Sequence, residues 1–252
     1  MNRTLRHFFV EEIIENEGIC SITGKEARHI SKALRMETGD RLILSDRKGT
    51  RFLALISSVG PREVLVSLEN PIPKPSPSPI EITLCQAMIK SRQMDYIIQK
   101  TSELGIYNIS PFSSKRTVVR LGKDRLANKI RHWRQIAQSS TKQSDRDSPA
   151  QIGSVVTFNK LMERCKSEDA LKVVLWEEEE IKDLKSLLMD YSSLKKIIGI
   201  VGPEGGFSQQ EIEIAKDAGF ISVSLGNRIL RSETAAITLV AIVQYELGDL
   251  SL

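Results

Sequence analysis

Cysteine and histidine are scarce in this chain, and neither clusters. Of 252 residues, three are cysteine and three are histidine. Cys20, Cys85 and Cys165 lie far apart in the sequence and form no CxxC pair, so their spacing offers neither a disulfide framework nor a zinc ribbon. They read as three buried thiols in a reducing compartment. His7, His29 and His132 are isolated, so no metal site is expected. No apolar run approaches the roughly 18 residues that mark a membrane span. The opening stretch Met1–Glu12 lacks the sustained apolar segment of a secretory leader. The expectation is a soluble cytoplasmic protein with neither membrane nor metal as a partner. Two phosphate-binding fingerprints are missing too. There is no Gly-Lys-Ser/Thr ending of a Walker A loop, and no G-x-G-x-x-G.

In bulk the chain is an ordinary globular one, with 40% apolar and 27% charged residues. The length fits one large or two smaller domains. Five of the nine prolines fall at every second position from Pro71 to Pro79. Proline fixes φ and removes a donor, so this stretch reads as an extended, stiff spacer. It divides the chain into residues 1–70, a linker at 71–79 and residues 80–252. Before the linker, runs at 41–45, 52–59 and 63–68 are strand-like, with turn signals between them and one helix over Lys25–Met36. This pattern predicts a small β-barrel. After the linker, β-branched runs at 81–87, 172–176, 196–201 and 221–225 alternate with helical patterns at 93–104, 124–138, 209–218 and 234–247. Such alternation predicts an α/β fold with a parallel sheet. The four acids Glu177–Glu180 read as a solvated loop or helix start.

The net charge of +4 conceals an asymmetry. Between Ser113 and Arg146 ten basic residues stand against two acidic ones, a local charge of +8. Arg28, Lys32 and Arg35 share one face of the predicted first helix. Two basic surfaces suit a phosphate backbone.

The strongest local signal is a β-branched strand running into Gly202-Pro-Glu-Gly-Gly206. Ser208 and Glu211 then form a predicted capping box that opens a helix. A strand, glycine loop and helix place free backbone N–H groups at the carboxyl end of a parallel strand, where α/β sheets bind ligands. Glu204 in this loop would repel a pyrophosphate, so a cationic or zwitterionic ligand fits better. A second unit repeats the pattern, with a strand at 221–225, a loop at Gly226, and Arg231, Glu233 and Thr234 where the last helix begins. That helix, 234–247, is apolar around most of its circumference, which predicts a contact between subunits of a symmetric dimer.

The segments GPEGGFS (202–208) and LGNRILRSETAA (225–236) resemble the C-terminal signature of SPOUT-class methyltransferases. They are most similar to those of the RsmE family, the ribosomal RNA small-subunit uridine-N3 methyltransferases. The resemblance extends in order through His29–Met36, Gln99–Ile106 with Pro111, Ser114-Lys-Arg116, Trp133–Ala137 and Gln143-Ser-Asp-Arg146. It departs at Ser139–Lys142, where the family pattern has an alanine and an acid.

The resemblance implies a trefoil-knotted C-terminal methyltransferase domain, a PUA-like RNA-binding β-barrel at residues 1–70, and S-adenosylmethionine held bent in three loops. The first loop would offer Leu175, Trp176 and Glu177. The second would offer Val201, Gly202, Pro203, Glu204 and Gly205, and the third Leu225, Gly226, Ile229, Leu230 and Arg231. Leu175, Ile229 and Leu230 would pack the adenine. Attack by uridine N3 requires loss of its proton, so the candidates are Glu204 or Glu233 as base and Arg231 as stabiliser of the O2/O4 anion. Arg28, Lys32, Arg35, Arg116, Arg120 and Arg146 are the candidates for RNA contacts. The implied partner is ribosomal RNA in the assembled small subunit, and the implied assembly is a homodimer. Competing readings are a transfer RNA methyltransferase of the same knotted class, acting on a ribose, and a non-catalytic RNA-binding assembly factor.

Overall fold

The computed structural model describes residues 5–14, 18–46, 50–73, 78–117, 122–144, 146, 148–191 and 193–250. The chain divides into two units, Met1–Ser76 with Lys142–Ser148, and Pro77–Thr141 with Pro149–Leu252.

The first unit is built on five strands: β1 (Arg6–Phe9), β2 (Ile19–Thr23), β3 (Arg41–Ser45), β4 (Arg51–Val59) and β5 (Glu63–Pro71). Their order is β1-β3-β4-β5-β2. β1 and β3 are parallel, and the other pairs are antiparallel. Alternation sends Leu42, Leu44, Val64 and Val66 inward, where they meet Phe8, Ile22, Ala54 and Ile56. Among the described residues the sheet is open, with β1 and β2 at opposite edges, so the predicted small β-barrel is a half-barrel. β1 escaped the sequence reading because four residues are too few to show a period. β5 runs into the proline stretch, and Pro71 stands opposite Phe52. The neighbouring β2 pairs only as far as Ser67. Pro71 therefore costs no ladder bond on that side.

The predicted helix over Lys25–Met36 is shorter and wider than its sequence implied. Helix α1 (Gly24–Arg28) passes into a π-helical turn at His29–Ala33. There the Leu34 N–H bonds the His29 carbonyl, five residues back, at 2.9 Å. Arg35 follows at φ 50°, a left-handed conformation that ends the helix. Arg28 and Lys32 are exposed on this segment, but Arg35 lies beyond it. The three cations therefore do not share one helical face.

The second unit contains a seven-stranded sheet. Its strands are β6 (Glu81–Ala87), β7 (Asn108–Ser113), β8 (Gln151–Ile152), β9 (Val156–Thr157), β10 (Leu171–Leu175), β11 (Lys196–Val201) and β12 (Ile221–Val223). The order is β12-β10-β11-β6-β7-β8, with β9 also on β7, and every pairing is parallel. Helices cover both faces, which is why residues 173–175 of β10 and 197–201 of β11 read as apolar runs without alternation. One face packs against α2 (Ser91–Glu103), α3 (Lys123–Gln143), α5 (Leu184–Met189) and α7 (Ser232–Leu247). The other packs against α4 (Phe158–Lys166) and α6 (Gln209–Asp217). Gly199 lets α7 lie against β11, since a Cβ there would collide with Leu239 Cδ2.

On α7, Ala236, Leu239, Val240 and Val243 are buried in the first of these cores. Ile237, Ala241 and Ile242 remain half-exposed and Tyr245 is exposed. Cys85 and Cys165, distant in sequence, meet in the second core. The hydrogen bond between them, with burial, pushes the Cys85 thiol well up, while the same bond draws Cys165 down. All three thiols are buried.

Candidate active site

Three loops and a helix entrance meet at the carboxyl ends of β10, β11, β12 and β6. They enclose a cavity of about 890 Å³, within the roughly 300–1,000 Å³ of small-molecule sites. From the first loop, Leu175, Trp176 and Glu177 line it. From the second come Val201, Gly202, Pro203, Glu204 and Gly206, and from the third Leu225, Gly226, Ile229, Leu230, Arg231 and Glu233. Every predicted cofactor or catalytic residue is therefore on this wall except Gly205. Lys90 and Gln93, at the entrance to α2, also line it and had no signal in the sequence.

The second loop is fixed at several points. The Gly206 N–H bonds the Pro203 carbonyl at 3.0 Å, closing a turn. Gly206 has φ +65°, and a Cβ there would strike the Glu177 carboxylate. Only glycine meets both conditions. The predicted capping box is present, with Ser208 N donating to Glu211 Oε2 at 3.0 Å and Ser208 Oγ accepting from Glu211 N at 3.4 Å. Glu211 is buried, and its other oxygen accepts from Lys115 N at 2.9 Å. Arg116 donates from Nη1 to the carbonyl oxygens of Gly205 at 2.8 Å and Phe207 at 3.3 Å. Its guanidinium is thus engaged in loop structure, a role missed by the reading of Arg116 as an RNA contact. Lys90 N donates to Glu204 Oε1 at 3.5 Å.

The acidic run Glu177–Glu180 is a loop with Glu177, Glu178 and Glu180 exposed, as the solvated-loop reading expected, but Glu177, Glu179 and Glu180 also line the cavity and Glu179 is half-buried. Glu179 Oε1 accepts from the N–H groups of Ile181 at 3.1 Å and Lys182 at 3.3 Å. Its other oxygen accepts from the Ser222 hydroxyl. That hydrogen bond, reinforced by the two backbone donors, holds the Glu179 carboxyl below the usual range. Trp176 is steadied by Lys216 Nζ, 5.5 Å from its ring centroid.

In the third loop Gly226 has φ +91°. Arg231 is the N-cap of α7, exposed and with no side-chain cap bond, and Glu233 sits in the first turn. Of the residues expected to pack an adenine, Ile229 is 89% exposed and Leu175 is buried. Of the proposed RNA contacts, Arg28, Lys32 and Arg35 are exposed and Arg146 is half-buried. Arg120 lies outside the described residues. Among the described residues no group of three or more His, Cys, Asp or Glu could hold a metal ion. None of their helices is long and apolar enough to cross a membrane.

A family model for an RNA methyltransferase domain matches residues 76–244, and one for an RNA methyltransferase PUA domain matches residues 22–69. The chain is 33% identical to ribosomal RNA small subunit methyltransferase E of Mesomycoplasma hyopneumoniae, across 92% of this chain and 96% of that one. The chain belongs to the RsmE family of RNA methyltransferases. The RsmE protein of Bacillus subtilis is 29% identical over 96% of this chain and 97% of its own. The crystal structure of RsmE from Neisseria gonorrhoeae bound to S-adenosylmethionine superposes with a TM-score of 0.83 at 27% identity, covering 98% of this chain and all of that one. A Legionella pneumophila methyltransferase in complex with S-adenosylmethionine gives 0.84 at 29% identity, with the same coverage.

Proposed function

We propose that this RsmE-family protein transfers a methyl group from S-adenosylmethionine to N3 of one uridine in small-subunit ribosomal RNA, in the cytoplasm. The observation that carries this reading is the cavity at the ends of three neighbouring parallel strands, lined together by carboxylates, apolar side chains and a glycine turn. That lining suits the cofactor. Leu175, Val201, Leu225 and Leu230 offer apolar walls for an adenine. Glu177, Glu204 and Glu233 offer negative charge to a sulfonium and an amino group, and Arg228 and Arg231 offer positive charge to a carboxylate. A pyrophosphate would face those same carboxylates unfavourably.

When bound, S-adenosylmethionine supplies an electrophilic methyl group. The protein's part is to bring uridine N3 into line and to remove its proton. Glu204 or Glu233 accepts that proton. Arg231, with the N-terminus of α7 behind it, stabilises the negative charge spread over O2 and O4. The base must leave its stack to enter the cavity. Arg28, Lys32, Arg35, Arg120 and Arg146 are assigned to phosphate contacts. In this reading residues 1–70 form the PUA-like RNA-binding domain, 71–79 the linker and 80–252 the knotted methyltransferase domain. The half-exposed apolar face of α7 joins two copies as a homodimer.

The test is incubation with labelled S-adenosylmethionine and small ribosomal subunits from cells lacking the endogenous enzyme, followed by nucleoside mass spectrometry. N3-methyluridine at one position is expected. A methylated ribose, or no transfer, would overturn the assignment.

A further inference from the structure

Behind the cavity wall a buried hydrogen-bond chain ties two of its loops together. Gln86, the penultimate residue of β6, is 0% exposed. Its Nε2 donates to the Ala87 carbonyl at 3.0 Å and to Ser232 Oγ at 2.9 Å. Ser232, 7% exposed, in turn donates from Oγ to the Gly202 carbonyl at 2.6 Å. Both Nε2 hydrogens are therefore used, which fixes the orientation of the amide. Its oxygen is left buried and without a partner. A leucine would fill a similar volume without that unpaired acceptor. The amide is present at a cost, and what it does is hold Ser232.

Ser232 stands at a junction. It is the first residue of α7, directly after Arg231, and it lines the cavity. Gly202 opens the turn that carries Glu204. A hydroxyl locked between Gln86 and the Gly202 carbonyl sets the spacing between that turn and the start of α7. Each loop carries a residue assigned above to the chemistry. We propose that Gln86 is a positioning residue of the methyl transfer, acting through Ser232 to hold the Gly202–Gly206 turn and the Arg231 end of α7 in register for the cofactor. This rests on the functional reading above.

The two loops would lose their link in either Ser232→Ala or Gln86→Leu, whereas Ser232→Thr keeps the hydroxyl. The experiment measures S-adenosylmethionine affinity by calorimetry, hydrogen exchange of the cofactor-free protein, and kcat and KM for each variant. Ser232→Ala and Gln86→Leu should each weaken cofactor binding about tenfold. Each should also speed amide exchange in both 202–206 and 231–235. Ser232→Thr should stay within about threefold of wild type. The double variant should lose no more than the worse single, because one chain is cut in either case. Equal affinities in wild type, Ser232→Ala and Gln86→Leu would overturn the clamp. So would multiplicative losses in the double variant, or Ser232→Thr as weak as Ser232→Ala. If Gln86→Leu fails to fold, the Ser232 pair decides alone. Failure of the wild type itself to bind S-adenosylmethionine would instead overturn the functional reading.

Discussion

Arg116 Nη1 lies 2.8 Å from the carbonyl oxygen of Gly205, so an arginine that sits in a strongly basic segment is committed to the glycine turn. A charge-assisted hydrogen bond of this kind is stronger than a neutral one. Arg116→Ala should loosen the turn and weaken S-adenosylmethionine binding about tenfold. It should leave the salt dependence of RNA binding nearly unchanged. Arg28→Ala and Lys32→Ala should do the reverse, each lowering the salt slope by about one and sparing cofactor affinity. Calorimetry with cofactor and salt titrations with RNA separate the two classes. A salt slope altered by Arg116→Ala as much as by Arg28→Ala would return Arg116 to the RNA surface.

Gly199 and Leu239 set how closely α7 lies on the sheet. A Cβ at position 199 would overlap Leu239 Cδ2. Gly199→Ala should destabilise the protein by about 1–3 kcal/mol through overpacking. Leu239→Ala alone should cost about 2–5 kcal/mol. In the double variant the new methyl enters space the leucine has vacated, so its loss should be smaller than the two singles combined. Urea unfolding of the four proteins gives the coupling, and strict additivity would contradict the contact.

Much of this architecture is written locally. The strand at 196–201 is visible because both sheet faces are covered, so after Lys196 its sequence is an apolar run that ends in the Gly202 turn. The Ser208–Glu211 box is a four-residue signal and needs no tertiary help. Helix α4 went unread, although Phe158, Leu161, Met162 and Cys165 stand at helical spacing, because nine residues give the pattern little length. β8 and β9, of two residues each, carry no period at all. What the sequence could not reveal is which distant residues meet. Glu179 looks like one acid in a run until Ser222 is placed beside it, and Gln86 looks like a strand residue until α7 begins next to it. Cys85 and Cys165 looked unrelated for the same reason.

The thiols provide a simple check on that core. Cys20, Cys85 and Cys165 are 3%, 1% and 5% exposed. Thiolate chemistry needs access as well as ionisation. The native protein should therefore react with none of its thiols on the timescale of a standard aromatic disulfide reagent, and with three after denaturation. Rapid reaction of Cys165 in the folded protein would show that α4 does not seal this face of the sheet.

Acid should act on the first loop through Glu179. Its carboxylate is stabilised by the Ser222 hydroxyl and by two backbone N–H groups, so its folded-state pKa lies below the ordinary value of 4.5. For a depressed carboxylate, the stabilisation is complete above the ordinary pKa and disappears as pH falls through the lower folded value. Order in the 177–182 loop, and with it cofactor affinity, should hold from neutrality down to about pH 4.5 and fall below it. Glu179→Gln cannot take up a proton and keeps one acceptor oxygen for Ile181 and Lys182, so it should lose this component of the acid response. The informative quantity is the difference between the two profiles, in which every group other than Glu179 is common to both proteins. Measured as cofactor affinity from pH 7 to pH 4, the wild-type curve should drop more steeply than that of Glu179→Gln. Superimposable curves would mean that the loop is held by something other than this carboxylate.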